Sequence, residues 1–244
     1  MSNTSIKVWD LPTRLFHWTL VGLFGGAFAV AHLAGEHKPA FAIHMLLGLI
    51  LMAAVAFRLA WGLVGSRHAR FSSFLFSPAA LVAYVKEAFA GRDRPSAGHN
   101  PGSSWAIYAM LTLPVLLVVS GLKAQGKSEL FEDVHGALGW IMVAAVAAHL
   151  AGLAFHTFRH KEPIALAMIT GQRRGEPAEA IGSSHPLAAL LFLLLVGGWA
   201  ALVLRGHDPV LKVVKLPGID RTIPVAEKAP EAGKAGGRDE EDDD

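Results

Sequence analysis

Five long apolar runs divide the chain, at residues 15–33, 41–64, 105–122, 134–158 and 186–204. At about 1.5 Å of rise per residue, each can cross a hydrocarbon layer of about 30 Å as a helix. Short polar stretches at 35–39 and 123–133 predict helical hairpins. The longer stretch 65–104 contains Ser77-Pro78, a favoured pair for a helix cap and first turn. After it, Leu81, Tyr84, Val85, Ala88 and Phe89 recur at i, i+3, i+4, i+7 and i+8. That spacing predicts an amphipathic helix, either lying on the membrane surface or packed on the bundle as a loop helix. The first run carries His17 and His32 and has no clean small-residue cleavage site, so it reads as a span and not a signal peptide.

Composition agrees. Charged residues make up 17% of the 244 residues, against about 25% in soluble domains. The expected fold is therefore all-α and integral to the membrane. A four-helix transmembrane bundle occupies residues 1–175, and 176–205 adds a fifth C-terminal transmembrane helix. Residues 206–244 form a largely disordered, extracytoplasmic acidic tail, ending in six acidic residues. Lys and Arg orient the bundle: 12 fall on the side of the N-terminus and 3 in the two opposite loops. The positive-inside rule puts the N-terminus in the cytoplasm and the C-terminus in the periplasm. The basic residues thus report topology and not a nucleic-acid partner. There is no cysteine, which excludes thiolate clusters, zinc-thiolate sites and covalently attached haem.

The chain has 12 histidines, and four of them form a pattern. His135 and His149 are 14 residues apart on the fourth segment. That separation is a rise of about 21 Å and falls within roughly 40° of whole turns, so both share one helix face. His17 opens the first segment at the depth of His149. His44 opens the second at the depth of His135. Ionisable groups inside a membrane segment are costly and mark function. Two stacked imidazole pairs suit two non-covalent b-type haems, with His17/His149 and His44/His135 as axial iron ligands. The apolar segments hold no Asp or Glu, which counts against a zinc site or proton relay. Arg58 lies 14 residues after His44 on the same face, and Arg14 one turn before His17. Either guanidinium can pair with a haem propionate.

Other positions stay open. Gly22, Gly25, Gly26, Gly48, Gly136 and Gly139 keep helix surfaces low, either for a flat macrocycle or for plain helix packing. His32 is the rival of His44 as outer ligand. His156 is placed to meet a quinone headgroup or a propionate, or is simply interfacial. His37, His68, His99, His160, His185 and His207 read as loop or boundary residues.

The sequence resembles the bacterial cytochrome b561 family, which includes cytochrome b subunits of nickel–iron hydrogenases and formate dehydrogenases. The resemblance rests on VWDLPTRLFHW (8–18), HMLLG (44–48), FRLAWGLVGSRHARF (57–71), and VHGALGW (134–140) followed by His149. It implies haems held by His of helices one, two and four, and a quinone site near the inner haem. It also implies an outer haem that exchanges electrons with a periplasmic partner. The expected function is electron transfer between the quinone pool and a c-type cytochrome or a hydrogenase or dehydrogenase, in the respiratory chain of the bacterial inner membrane. Two other readings are a quinone oxidoreductase acting on superoxide or another small molecule, and a haem-free His-based transporter or scaffold.

Overall fold

A computed structural model describes residues 4–34, 41–93, 96–125, 128–216 and 222–225. Strand β1 (Ser5–Lys7) leads into α1 (Leu11–Ala34) and α2 (Phe41–Val64). The amphipathic α3 (Pro78–Phe89) precedes α4 (Pro101–Ala124) and α5 (Glu129–His160). Short α6 (Ala167–Thr170) and β2 (Gln172–Arg174) follow, then α7 (Pro186–Gly206). Strands β3 (His207–Asp208), β4 (Val213–Lys215) and β5 (Thr222–Pro224) complete the described chain. Five helices, α1, α2, α4, α5 and α7, are long and apolar enough to cross a membrane. The protein is thus an all-α, multi-pass membrane protein. We call the end where α1 begins the near face, and the other the far face.

The helices extend past the apolar runs because polar residues cap them. Asn100 and Ser103 bond reciprocally and start α4 four residues before the run. Ser77 accepts from Ala80 N–H and starts α3 as its sequence predicts. Glu129 and Glu132, expected in a loop, form the first turn of α5, where acidic side chains favour the helix dipole. The turn at 35–39, and His37 within it, lies outside the described residues.

Helices α1 and α2 pack as one hairpin and α4 and α5 as the other, joined where α2 meets α4. One apolar cluster spans Phe16, Leu46, Leu49, Val55, Leu111 and Phe192. A second ties Leu113 and Leu117 of α4 to Met142 of α5. Phe24 of α1 touches both, midway along the bundle. Helix α7 packs on α2 and α1. Trp199 Nε1 donates to the Leu49 carbonyl at 2.9 Å, and Phe192 meets Phe57 edge-on at 5.0 Å. Helix α3 rests on α4 yet leaves Val82, Val85 and Phe89 exposed. The stretch after α7, read from sequence as the start of the acidic tail, makes a three-stranded antiparallel sheet, β3-β4-β5. Its Val214 and Val225 are buried against the bundle core. The acidic run 226–244 lies outside the described residues.

The near face is closed by a polar cap built around Asp10, which is 1% exposed. Its carboxylate accepts from Thr13 N–H at 2.8 Å, Trp61 Nε1 at 3.0 Å and Ser66 Oγ at 2.5 Å. One side chain thereby caps α1 and ties it to the end of α2. Strand β1 pairs antiparallel with β2, with Ile6 opposite Arg173. The Gly171 carbonyl accepts from Val8 N–H at 2.8 Å and Trp9 N–H at 3.0 Å. Gly171 has φ +78°, and a Cβ there would meet the Trp9 carbonyl at 2.8 Å. Glycine is needed on both counts. His99, read from sequence as a loop residue, lies between Trp9 (4.7 Å) and Phe74 (4.4 Å). His68 bonds the Glu179 carbonyl at 2.8 Å. Both are pins of the cap.

Asp10→Ala leaves an indole N–H, a hydroxyl and a helix N–H unpaired, and is expected to cost about 2–4 kcal/mol. A thermal-unfolding loss near zero would contradict the hub. Burial pushes the His99 imidazole down to about 3, with repulsion from Arg58 and His68 adding to it. Its folded-state affinity for a proton is thus below the unfolded value of about 6.5. The contribution is full above that pH and is lost as pH falls toward about 3. Melting temperatures on acidification should therefore fall less steeply for His99→Phe than for the native chain, and parallel falls would reject this.

Candidate functional site

The far pair forms where α2 begins and α5 has made under two turns. The rings of His44 and His135 meet edge-on, with centroids 5.8 Å apart and planes at 85°. Each ring is anchored from behind. His44 Nδ1 lies 2.9 Å from the Ala27 carbonyl of α1, and His135 Nδ1 lies 2.9 Å from the Leu117 carbonyl of α4. A carbonyl only accepts, so both Nδ1 atoms must carry the proton. Each Nε2 therefore keeps its lone pair, the form in which imidazole binds a metal. Ser120 Oγ adds a contact to His135 Nδ1 at 3.3 Å. Gly121 makes the fit possible, since a Cβ there would stand 3.1 Å from His135 Cε1 and Nδ1. Sequence reasoning missed Ser120 and Gly121. Their signal was a small-residue pair inside a Leu- and Val-rich helix.

The near pair is arranged differently. His17 on α1 has His149 of α5 as its titratable neighbour. Trp18 packs edge-on to His17 at 5.0 Å. His17 Nδ1 is buried without a hydrogen-bond partner, in contrast to the far rings. Arg58 is 3% exposed, with its guanidinium 5.1 Å from the Phe71 ring centre. One terminal nitrogen of Arg58 is also buried and unpartnered. Arg14 is used differently. Its guanidinium donates to the carbonyls of Met168 and Ile169, fastening α1 to the α6 turn.

His32 bonds back to the Phe28 carbonyl of its own helix at 3.0 Å and stacks on the Phe28 ring at 4.0 Å. Trp140 of α5 meets it edge-on at 5.3 Å. The structure thus brings His44, not His32, to His135. His156 is 7% exposed and lies at the near end of α5 among Glu162, His160 and Arg173. Among the six glycines, Gly26 packs closely, its Cβ position 3.3 Å from Leu47. The other five, Gly22, Gly25, Gly48, Gly136 and Gly139, have no atom within 4 Å of that position.

These residues fit a haem. Two metal–imidazole bonds of about 2 Å, carried on to the ring centres, need roughly 6 Å, close to the far-pair spacing. Among the described residues, no group of three or more His, Cys, Asp or Glu could hold a bare metal ion. Haem iron brings four ring ligands of its own and asks the protein for two. The open glycine surfaces allow a flat ring to approach, and the orphaned Arg58 nitrogen lacks an acceptor that a propionate supplies.

The comparisons with known proteins agree with that chemistry. Residues 8–171 match the family model described as prokaryotic cytochrome b561. A protein of Rhizobium leguminosarum bv. viciae named probable Ni/Fe-hydrogenase B-type cytochrome subunit is 26% identical over 219 residues. The match covers 71% of this chain and 90% of that protein. A protein of the same name from Bradyrhizobium diazoefficiens is 25% identical, over 71% of this chain and 88% of its own length. No solved structure matches the chain. The chain belongs to the prokaryotic cytochrome b561 family, membrane proteins that carry electrons on haem b.

Proposed function

We propose that the chain holds two haems b and passes electrons across the inner membrane between an extracytoplasmic partner and the quinone pool. His44 and His135 ligate the far haem, and His17 and His149 the near haem. The far pair carries this reading: two adjacent imidazoles, each with Nδ1 bonded to a neighbouring helix and Nε2 free. Bound haem supplies an iron that changes charge by one electron. The chain's own residues hold the far rings in one tautomer, and the four imidazoles would serve as the iron ligands, which would favour electron transfer over O₂ activation. Arg58 neutralises a propionate of the near haem. The near face is cytoplasmic on the positive-inside rule, because the sequence segments on the side of the N-terminus carry more Lys and Arg than the two opposite loops.

A hydrogenase is the partner the relatives favour, since both carry that name. With such a partner, the His44/His135 site would receive electrons and the His17/His149 site would pass them to quinone. A groove of about 290 Å³ between α2 and α4 near the cytoplasmic face suits that substrate. Leu59, Leu111, Val115 and Leu116 offer walls for an isoprenoid tail, and Thr112 offers a hydroxyl to a quinone headgroup, beside Tyr108, whose hydroxyl donates to the Phe71 carbonyl at 3.4 Å.

Purified protein is expected to show a b-type α-band and two haems per chain. His135→Ala or His44→Ala should remove the far haem, and His149→Ala or His17→Ala the near one. Each variant should keep one haem, and a variant that keeps two would contradict the assignment. Gly121→Leu drives a side chain into the His135 ring, and is expected to lower far-haem content with the near haem retained. Full far-haem content in that variant would remove the positioning role of Gly121.

A further inference from the structure

The near end of α5 carries a buried ionic cluster that electron transfer between haems does not require. His156, Glu162 and Arg173 are 7%, 9% and 5% exposed. Arg173 donates to Glu162 at 3.1 Å and 3.4 Å, and to the Ala97 and Gly98 carbonyls at 3.1 Å and 3.3 Å. The Arg174 N–H adds a third bond to the same carboxylate at 3.3 Å. Burial raises the proton affinity of Glu162, yet Arg173, the Arg174 N–H and His156 together hold it below the usual carboxylate value. His156 stands beside this pair. Its Nε2 is 3.6 Å from Glu162 Oε2 and has no hydrogen-bond partner.

A second imidazole lies beside it on the near side. The His156 and His160 rings are 4.5 Å apart. His160 Nε2 bonds Asp93 Oδ2 at 2.8 Å, in the connection between α3 and α4. Arg159 holds the other oxygen of Asp93 at 3.3 Å. Three elements therefore face His156 or His160. The end of α5 gives Arg159 and His160, the following segment gives Glu162 and Arg173, and the α3–α4 connection gives Asp93. The formal charges of Arg159 and Arg173 are matched by those of Asp93 and Glu162.

His156 is also seven residues after His149, about 10 Å along the same helix face. At that distance, and an effective dielectric of about 20, one added unit charge changes proton affinity on the order of tenfold. We propose that His156 is the proton-accepting group of the near redox site, exchanging its proton with the near face on the side of His160. This rests on the reading of His17 and His149 as a haem pair. One electron enters the near site from the far site, and one proton enters His156 from the near-side water. Both leave together when the near site is reoxidised by quinone, which takes up the electron and the proton. Buried ionic contacts that only fasten α5 to β2 would not link proton uptake to redox state.

Spectroelectrochemical titration of the purified dihaem protein separates the two. The near haem is identified as the one lost in His149→Ala. Its midpoint potential is expected to fall as pH rises through about 6 to 8, where imidazoles titrate. His156→Phe should make that potential independent of pH, with both α-bands and the far-haem potential unchanged. A near-haem potential already independent of pH in the native chain overturns the proposal, as does a slope that survives His156→Phe. If His156→Phe fails to assemble, Glu162→Gln tests the same point. Removing that anion should move the pH-dependent range to lower pH, and an unmoved range overturns the proposal. A chain that binds no haem overturns the haem reading together with this one, whereas two haems with a flat near potential overturn only the proton site.

Discussion

An imidazole N–H inside an apolar bundle is stabilised by an acceptor, and at the far site that bond sets the geometry. A helix carbonyl has a second lone pair to offer after its own helical bond. His44 and His135 each take such a carbonyl, one from α1 and one from α4. The bond settles the tautomer, aims the ring and leaves one nitrogen bare. It also makes the site a product of four helices, because neither ligand-bearing helix supplies the anchor for its own histidine. The helix packing, with Phe24 bridging two apolar clusters, holds the anchors in register.

The two ends of the bundle solve different problems. At the far end the rings are fixed by backbone, and the acidic first turn of α5 stands above them. At the near end the His17 Nδ1 is unpartnered and the surroundings are ionic. Arg58, His99, Arg173 and Glu162 lie in one polar layer, where His99 feels both arginines. Asp10 ties that layer to the starts and ends of the helices. A rigid far site and a polar, protonable near site match the division between simple electron entry and a reaction that also moves protons.

Much of the fold was legible because hydrophobic length and periodicity decide which segments are helices. The five spans, the Ser77 cap and the shared face of His135 and His149 all follow from helical repeat. The pairing of His44 and His135 was legible too, because depth is a one-dimensional coordinate that counting residues supplies. Contacts around the helix axis were not. Nothing in the spacing told that Arg14 would fasten the α6 turn, or that Gly121 would seat His135. His68, His99 and His160 looked incidental because the loops that enclose them carry no periodic signal, and only tertiary packing buries them. The sheet at 207–225 escaped for a similar reason: its strands are two or three residues long and depend on burial of Val214 and Val225 against the bundle.

The central claim is that iron sits between two pairs of neutral imidazoles. Electron paramagnetic resonance of the oxidised, purified protein tests it most directly. The account predicts two low-spin ferric signals of bis-imidazole character in equal amounts. A single signal, or a high-spin ferric signal of comparable size, would contradict it.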